Sequence, residues 1–266
     1  MEVLYDVLTF YVALLTISTL GAFVVIKLVP KEAKLELRPV SQATLVVTGM
    51  MFATLMGIYI AQAFREFSAC NAIIISEANS LGVVFRDAEG LNEKDKVRIR
   101  ALCRKYNDLV IEDEWPLLGA QKESSKAKAT MEEICNAAIA VRPADSHEQI
   151  VYHDFLKAVN EFGGFRGVRI ATLPAGLGFP SLFNIALAAS SLVVLTFLFA
   201  PGNFAFHSTI LSCLLVPITM SVYLLADFSR PFAGFVVLPP SMFLSLKTGP
   251  MAQNDLVQKP LNGQAH

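Results

Sequence analysis

The chain has 266 residues, of which 54% are hydrophobic and 17% charged, with a formal net charge of −1 and a mean hydropathy of +0.50. No basic footprint exists that could neutralise a phosphate backbone, so a nucleic-acid partner is excluded. The apolar content is not spread evenly. It collects in four stretches, residues 7–29, 41–63, 179–200 and 206–226, split two and two around a long polar middle.

Each stretch has about the 20 apolar residues that a helix rising ~1.5 Å per residue needs to cross a hydrocarbon core ~30 Å thick. The first follows Met1-Glu2-Val3-Leu4-Tyr5-Asp6, acidic where a secretory signal would be basic, and is read as a span. The second carries two patterns. Gly49, Ala53, Gly57 and Ala61 recur at intervals of four, a small-residue ladder against which a neighbouring helix backbone can pack closely. Phe52, Met56, Tyr59, Ala63 and Glu66 fall on a separate stripe within roughly 80° of arc. Around a symmetry axis that stripe would form an apolar constriction with a polar mouth at Glu66. Alternatively, it faces lipid or a neighbouring span.

Residues 64–178 hold most of the chain's charge and read as a folded polar domain. Phe67, Cys70, Ile74, Ala78, Leu81 and Phe85 continue the second span as an amphipathic helix, which Gly90 ends. Asn92 opens a second helix, with Val97, Ala101, Tyr106 and Val110 on one face. It ends at Glu114-Trp115-Pro116, where Trp115 is either a buried anchor between helices or a partner contact. A third helix covers about 124–141, stopped near Pro143. A fourth starts at Asp145-Ser146 and runs toward Gly163-Gly164. No alternating strand pattern persists, so the fold class is all-α: four spans in two pairs with an intervening helical domain. The expected divisions are 1–63, 64–178, 179–235 and 236–266, with a disordered tail from about Thr248.

Pro217 is expected to kink the fourth span. The spans hold almost no ionisable group besides Lys27, which argues against an ion-coupled pump. Arg65, Arg166, Arg169 and Arg230 stand near span ends on the side of the polar domain. They form either an electropositive vestibule that concentrates anions, or headgroup contacts plus ion pairs with Glu66, Glu161 or Asp227. Against them stand Lys27, Lys31, Lys34 and Arg38, so charge does not decide the orientation. Cys70, Cys103 and Cys135, at no CxxC spacing, read as reduced thiols and favour a cytosolic domain. The four histidines show no metal-ligand spacing, and glycine phosphate loops and nucleophile elbows are missing. Neither a metal, a cofactor nor an enzymatic activity is expected.

Ser76-Glu77-Ala78, Glu114-Trp115-Pro116, the lead-in Arg169-Ile170-Ala171-Thr172-Leu173-Pro174 and the closing Arg230-Pro231-Phe232-Ala233-Gly234 occur in this order around the spans. In this combination the chain resembles the bestrophin-like membrane proteins of bacteria, from about residue 10 to residue 246. Bestrophins proper are pentameric anion channels whose second span lines the pore and whose cytosolic helices extend the conduit. The resemblance thus implies a homo-oligomeric inner-membrane channel, a pentamer by that likeness, in the lipid bilayer that passes small anions such as chloride. The alternative is a non-conducting membrane scaffold or sensor whose polar domain binds a partner. The family's pore constriction and calcium clasp have no counterpart here that the motifs identify, since the acidic run Glu112-Asp113-Glu114 lies in a different context.

Overall fold

A computed structural model describes residues 2–28, 31–143, 145–173, 179–198 and 204–252. Among the described residues the chain is helical, with no strand. Two compact units emerge: Met1–Phe67 with Ala175–Arg230 and Gly234–Val236, and Ser68–Pro174 with Pro231–Ala233 and Val237–His266.

The first unit holds α1 (Glu2–Leu28), the N-terminal part of α2 (Lys31–Asp87), α7 (Phe179–Leu198) and α8 (Phe204–Phe228). Its interior consists of apolar side chains. Phe52, Met56 and Ala63 of α2 are buried against Ile185 and Leu192 of α7 and Ile218 and Leu225 of α8. A second cluster joins Phe197, Leu211 and Leu215 to Tyr11, Leu14 and Leu15 of α1. Hydroxyls in these helices turn back on their own backbone: Thr16 donates to the Val12 carbonyl at 2.7 Å, Thr54 to Met50 at 2.9 Å and Thr196 to Val193 at 2.6 Å. That is the internal satisfaction a hydrocarbon surrounding demands. Among the described residues two helices are long and apolar enough to cross a membrane, Pro39–Gly90 and Ser208–Phe228, with shorter apolar segments at Tyr11–Gly21 and Ser181–Phe197.

Helix α2 is continuous for 57 residues, about 85 Å at ~1.5 Å per residue, far more than a bilayer core. It begins ten residues before the expected span and contains Pro39 without a break. A 3-10 turn, Ala88–Gly90, ends it at the expected glycine. Pro217 likewise lies inside an unbroken α8.

The second unit follows local capping chemistry. Asn92 starts α3 (Glu93–Leu109), its side chain accepting the Asp95 N–H; Ser124 does the same for Ala127 at the head of α5 (Ser125–Ala140), and Asp145 for Glu148 at the head of α6 (Ser146–Ala171). One expectation is corrected here: α6 does not stop at Gly163-Gly164 but runs on to Ala171. Gly163 serves packing instead, since a Cβ there would lie 2.8 Å from Met131 Cε, whereas one on Gly164 would meet nothing within 4 Å. Between α3 and α4 (Trp115–Leu118) lies a π-helical turn, Val110–Glu114, whose widening lets the Trp115 N–H reach the Val110 carbonyl five residues back.

A short helix, α9 (Ser241–Thr248), follows Pro240. The expected disorder from Thr248 is corrected for the residues described: Met251 is buried and its N–H donates to the Leu246 carbonyl at 3.1 Å. The remainder of that tail, with Pro174 of the lead-in motif and the side chains of Lys31, Lys34, Arg38, His147 and His207, lies outside the described residues.

Candidate functional site

Four elements of the second unit meet at a buried ionic network. Glu77 comes from α2, Tyr106 from α3, Glu114 from the π turn, and Arg166 and Arg169 from one face of α6, where a spacing of three makes them neighbours. Arg169 donates to Glu77 through Nε (2.6 Å) and Nη2 (3.0 Å), and Nη2 also reaches Glu114 Oε1 at 2.6 Å. Arg166 grips Glu114 with both terminal nitrogens, Nη1 to Oε1 at 2.9 Å and Nη2 to Oε2 at 2.7 Å. The Tyr106 hydroxyl closes the circuit, donating to Glu77 at 2.7 Å and accepting from Arg166 at 2.8 Å. Two carboxylates thus face two guanidinium groups, and formal charge cancels.

Burial is nearly complete. Glu77, Glu114, Tyr106 and Arg169 are 0% exposed, and Arg166 is 5% exposed. Desolvation pushes the Glu114 carboxyl up, but the Arg166 hydrogen bonds and the charges of both arginines outweigh it and hold it below the ordinary glutamate range. Desolvation likewise works against a charged Arg169, and the Glu77 carboxylate more than reverses it, so the guanidinium stays charged. Burial, with the Glu77 charge, raises the Tyr106 hydroxyl well above its usual value, keeping it a donor. Arg169 Nη1 has no hydrogen-bond partner; the guanidinium carbon lies 5.8 Å from the centre of the Trp115 ring.

Trp115 turns outward from this network to hold the C-terminal segment. Its indole N–H donates to the Leu238 carbonyl at 3.0 Å, and its ring meets Phe232 and Phe243 edge-on at 5.6 and 5.9 Å. Asn107 donates to the Phe243 carbonyl at 3.1 Å, and Lys247 pairs with Asp108 and Glu112 at 2.8 and 3.0 Å. Sequence reasoning missed this strap, because its contacts join residues more than a hundred positions apart. Pro116, in the first turn of α4, is exposed.

Two expectations are corrected by this geometry. Arg166 and Arg169 do not offer free charge to a vestibule: both guanidinium groups are buried and ion-paired with Glu77 and Glu114, which also replace the partners Glu66, Glu161 and Asp227. Arg65 and Arg230, in the first unit, are exposed; Arg65 donates to Gln62 at 2.7 Å, and Gln62 to Glu66 at 2.7 Å. The second correction concerns α2. Phe52, Met56 and Ala63 are buried by the chain's own α7 and α8, and Tyr59 packs at the edge of the same cluster, so this stripe meets neighbouring spans of its own chain, the alternative reading of the periodicity. Glu66 is exposed at its end.

The small-residue ladder lies on another face. Ala53 and Ala61 are exposed, and a Cβ on Gly57 would meet nothing within 4 Å, whereas one on Gly49 would touch Leu192 at 3.9 Å. Beside the ladder Met51, Leu55 and Ile58 are exposed. In the first unit, too, Asp227 organises the chain after α8: its carboxylate accepts the N–H groups of Phe235 and Val236 at 2.7 and 3.1 Å, across Gly234 at φ +155°. No group of three or more His, Cys, Asp or Glu that could hold a metal occurs among the described residues.

Among curated proteins none matches the chain. Among solved structures it is similar to a crystal structure of a bacterial bestrophin homologue from Klebsiella pneumoniae carrying a point mutation, with a TM-score of 0.67 and 11% identity, covering 91% of this chain and 98% of that one. At that identity the likeness is one of fold. The Bestrophin-like domain family matches residues 12–243, and the chain therefore belongs to the bestrophin-like family.

Proposed function

We propose that this chain is one subunit of an oligomeric channel in a bacterial inner membrane, a pentamer by family analogy, that passes small anions such as chloride. Four helices cross the bilayer: α1, the N-terminal part of α2, α7 and α8. The second unit forms a helical cytosolic domain that extends the conduit. Its cysteines are free, which suits a reducing compartment.

One observation carries the reading. Met51, Leu55, Ile58 and Gln62, spaced four, three and four, fall within ~60° of arc at ~100° per residue, and all four are exposed. On a span that a single chain leaves largely exposed, such spacing is that of a seam of helices gathered round an axis. Three apolar side chains followed by Gln62 and the exposed Arg65 would make a constriction that dewets, opening on a polar, positively charged mouth. Gly57 and its exposed small neighbours would admit the adjacent copy.

The test is anion flux through proteoliposomes. Leu55→Ser and Ile58→Ser are expected to raise it, and Phe52→Ser is expected to lower the yield of assembled protein instead. Flux unchanged by both seam variants, at normal assembly, contradicts this pore.

A further inference from the structure

The turn after α8 holds a bare aromatic ring in the open. Phe235 is 74% exposed, more than any other large apolar residue described. It is not a frayed end: the Asp227 carboxylate, itself buried, takes the N–H groups of Phe235 and Val236, and Gly234 has no Cβ because Asp227 Oδ1 occupies that place. Burying a Phe side chain is favourable, so a turn that these hydrogen bonds fix with the ring held away from the protein calls for an apolar surface elsewhere. Arg230, five residues earlier in the same unit, is exposed as well.

We propose that Arg230 and Phe235 form an interfacial lipid anchor, with the phenyl ring at the boundary of headgroups and acyl chains and the guanidinium on a lipid phosphate. Lipid is the occupant for two reasons. The turn continues directly from Ser208–Phe228, a helix long and apolar enough to cross a membrane. On that helix Val216, Met220 and Leu224, each one turn from the next, are exposed along one face. Cation and apolar ring together match an anionic headgroup above a hydrocarbon edge. The proposal rests on α8 crossing the bilayer, and its test separates the two ideas.

Full-length protein carrying Phe235→Trp or Met220→Trp is reconstituted in phosphatidylcholine–phosphatidylglycerol vesicles whose acyl chains are brominated near the headgroup or near the chain end, and the emission of Trp115 alone is subtracted. The indole at 235 is expected to emit blue-shifted and to be quenched more by shallow than by deep bromine, and the quenching is expected to weaken when Arg230→Gln is added. Quenching at 220 without quenching at 235 overturns the anchor and leaves α8 as a span. Blue-shifted emission at 235 that bromine does not reach overturns it in favour of cover by protein, a second copy included. No quenching at either position overturns anchor and span together.

Discussion

The two units are held together by opposite means. In the first, Phe52, Met56, Leu192 and Leu225 pack with no ion pair among them, and the exposed surface is rich in large apolar residues such as Ile17, Val47, Met50 and Leu187. In the second, two carboxylates and two guanidinium groups lie buried at the centre, and exposed large apolar residues are few, Val97, Ile139 and Ile150 among them. A hydrophobic force needs water to act against. A unit that shows its apolar side chains outward is stable when lipid covers them, and its interior is ordered by shape and dispersion. A unit surrounded by water can afford an ionic centre, which here joins four elements through directional hydrogen bonds, though its net contribution to stability is small.

The largest effect that would sharpen this contrast is Glu114→Ala. It leaves Arg166 and part of Arg169 charged, buried and unpaired, and removing one partner of a buried pair costs about 3–5 kcal/mol. Thermal unfolding followed by Trp115 fluorescence should show the loss; a change under about 1 kcal/mol would mean that water reaches the network. Next comes Met56→Ala, expected to cost about 2–3 kcal/mol as a core truncation, against less than about 0.5 kcal/mol for exposed Met51→Ala. Equal costs in a denaturation series would erase the distinction between the two faces of α2. A smaller loss, about 1 kcal/mol, is expected for Trp115→Phe, which removes the donor to Leu238 but keeps a ring against Phe232 and Phe243. Limited proteolysis should then cut the segment after α8 faster, while the ionic network stays intact.

The most gradual effect is with pH. The folded-state carboxyl of Glu114 lies below its ordinary value, so its contribution is fully present above the unfolded pKa and is lost as pH falls through the lowered folded one. The second unit should therefore weaken with acid below the ordinary glutamate range. Glu114→Gln should flatten that part of the profile; an unchanged acid limb would assign it to other carboxylates.

Much of the second unit was legible because its signals are local. Asn92, Ser124 and Asp145 each stand at a helix head where a side-chain oxygen meets an N–H three residues on. The Gly163-Gly164 pair misled because a glycine pair marks a helix end and a close helix contact with the same letters, and only Met131, from another helix, distinguishes them. Glu77 and Glu114 stood out as motif residues, yet nothing along the chain connects them to Arg166 and Arg169, 52 to 92 positions away. The stripe at Phe52 and Met56 was real as periodicity. Periodicity states which residues share a face of α2; what that face meets depends on where α7 and α8 lie.

The central claim is that the exposed seam of α2, and not the buried stripe, surrounds an axis common to several copies. Native mass spectrometry of the full-length protein released from nanodiscs tests it most directly, because a pore between subunits requires a closed ring. The account predicts a single cyclic assembly, a pentamer. A monomer or a dimer would leave Met51, Leu55 and Ile58 facing lipid and contradict it, and a scaffold whose helical domain binds a partner would then be the better description.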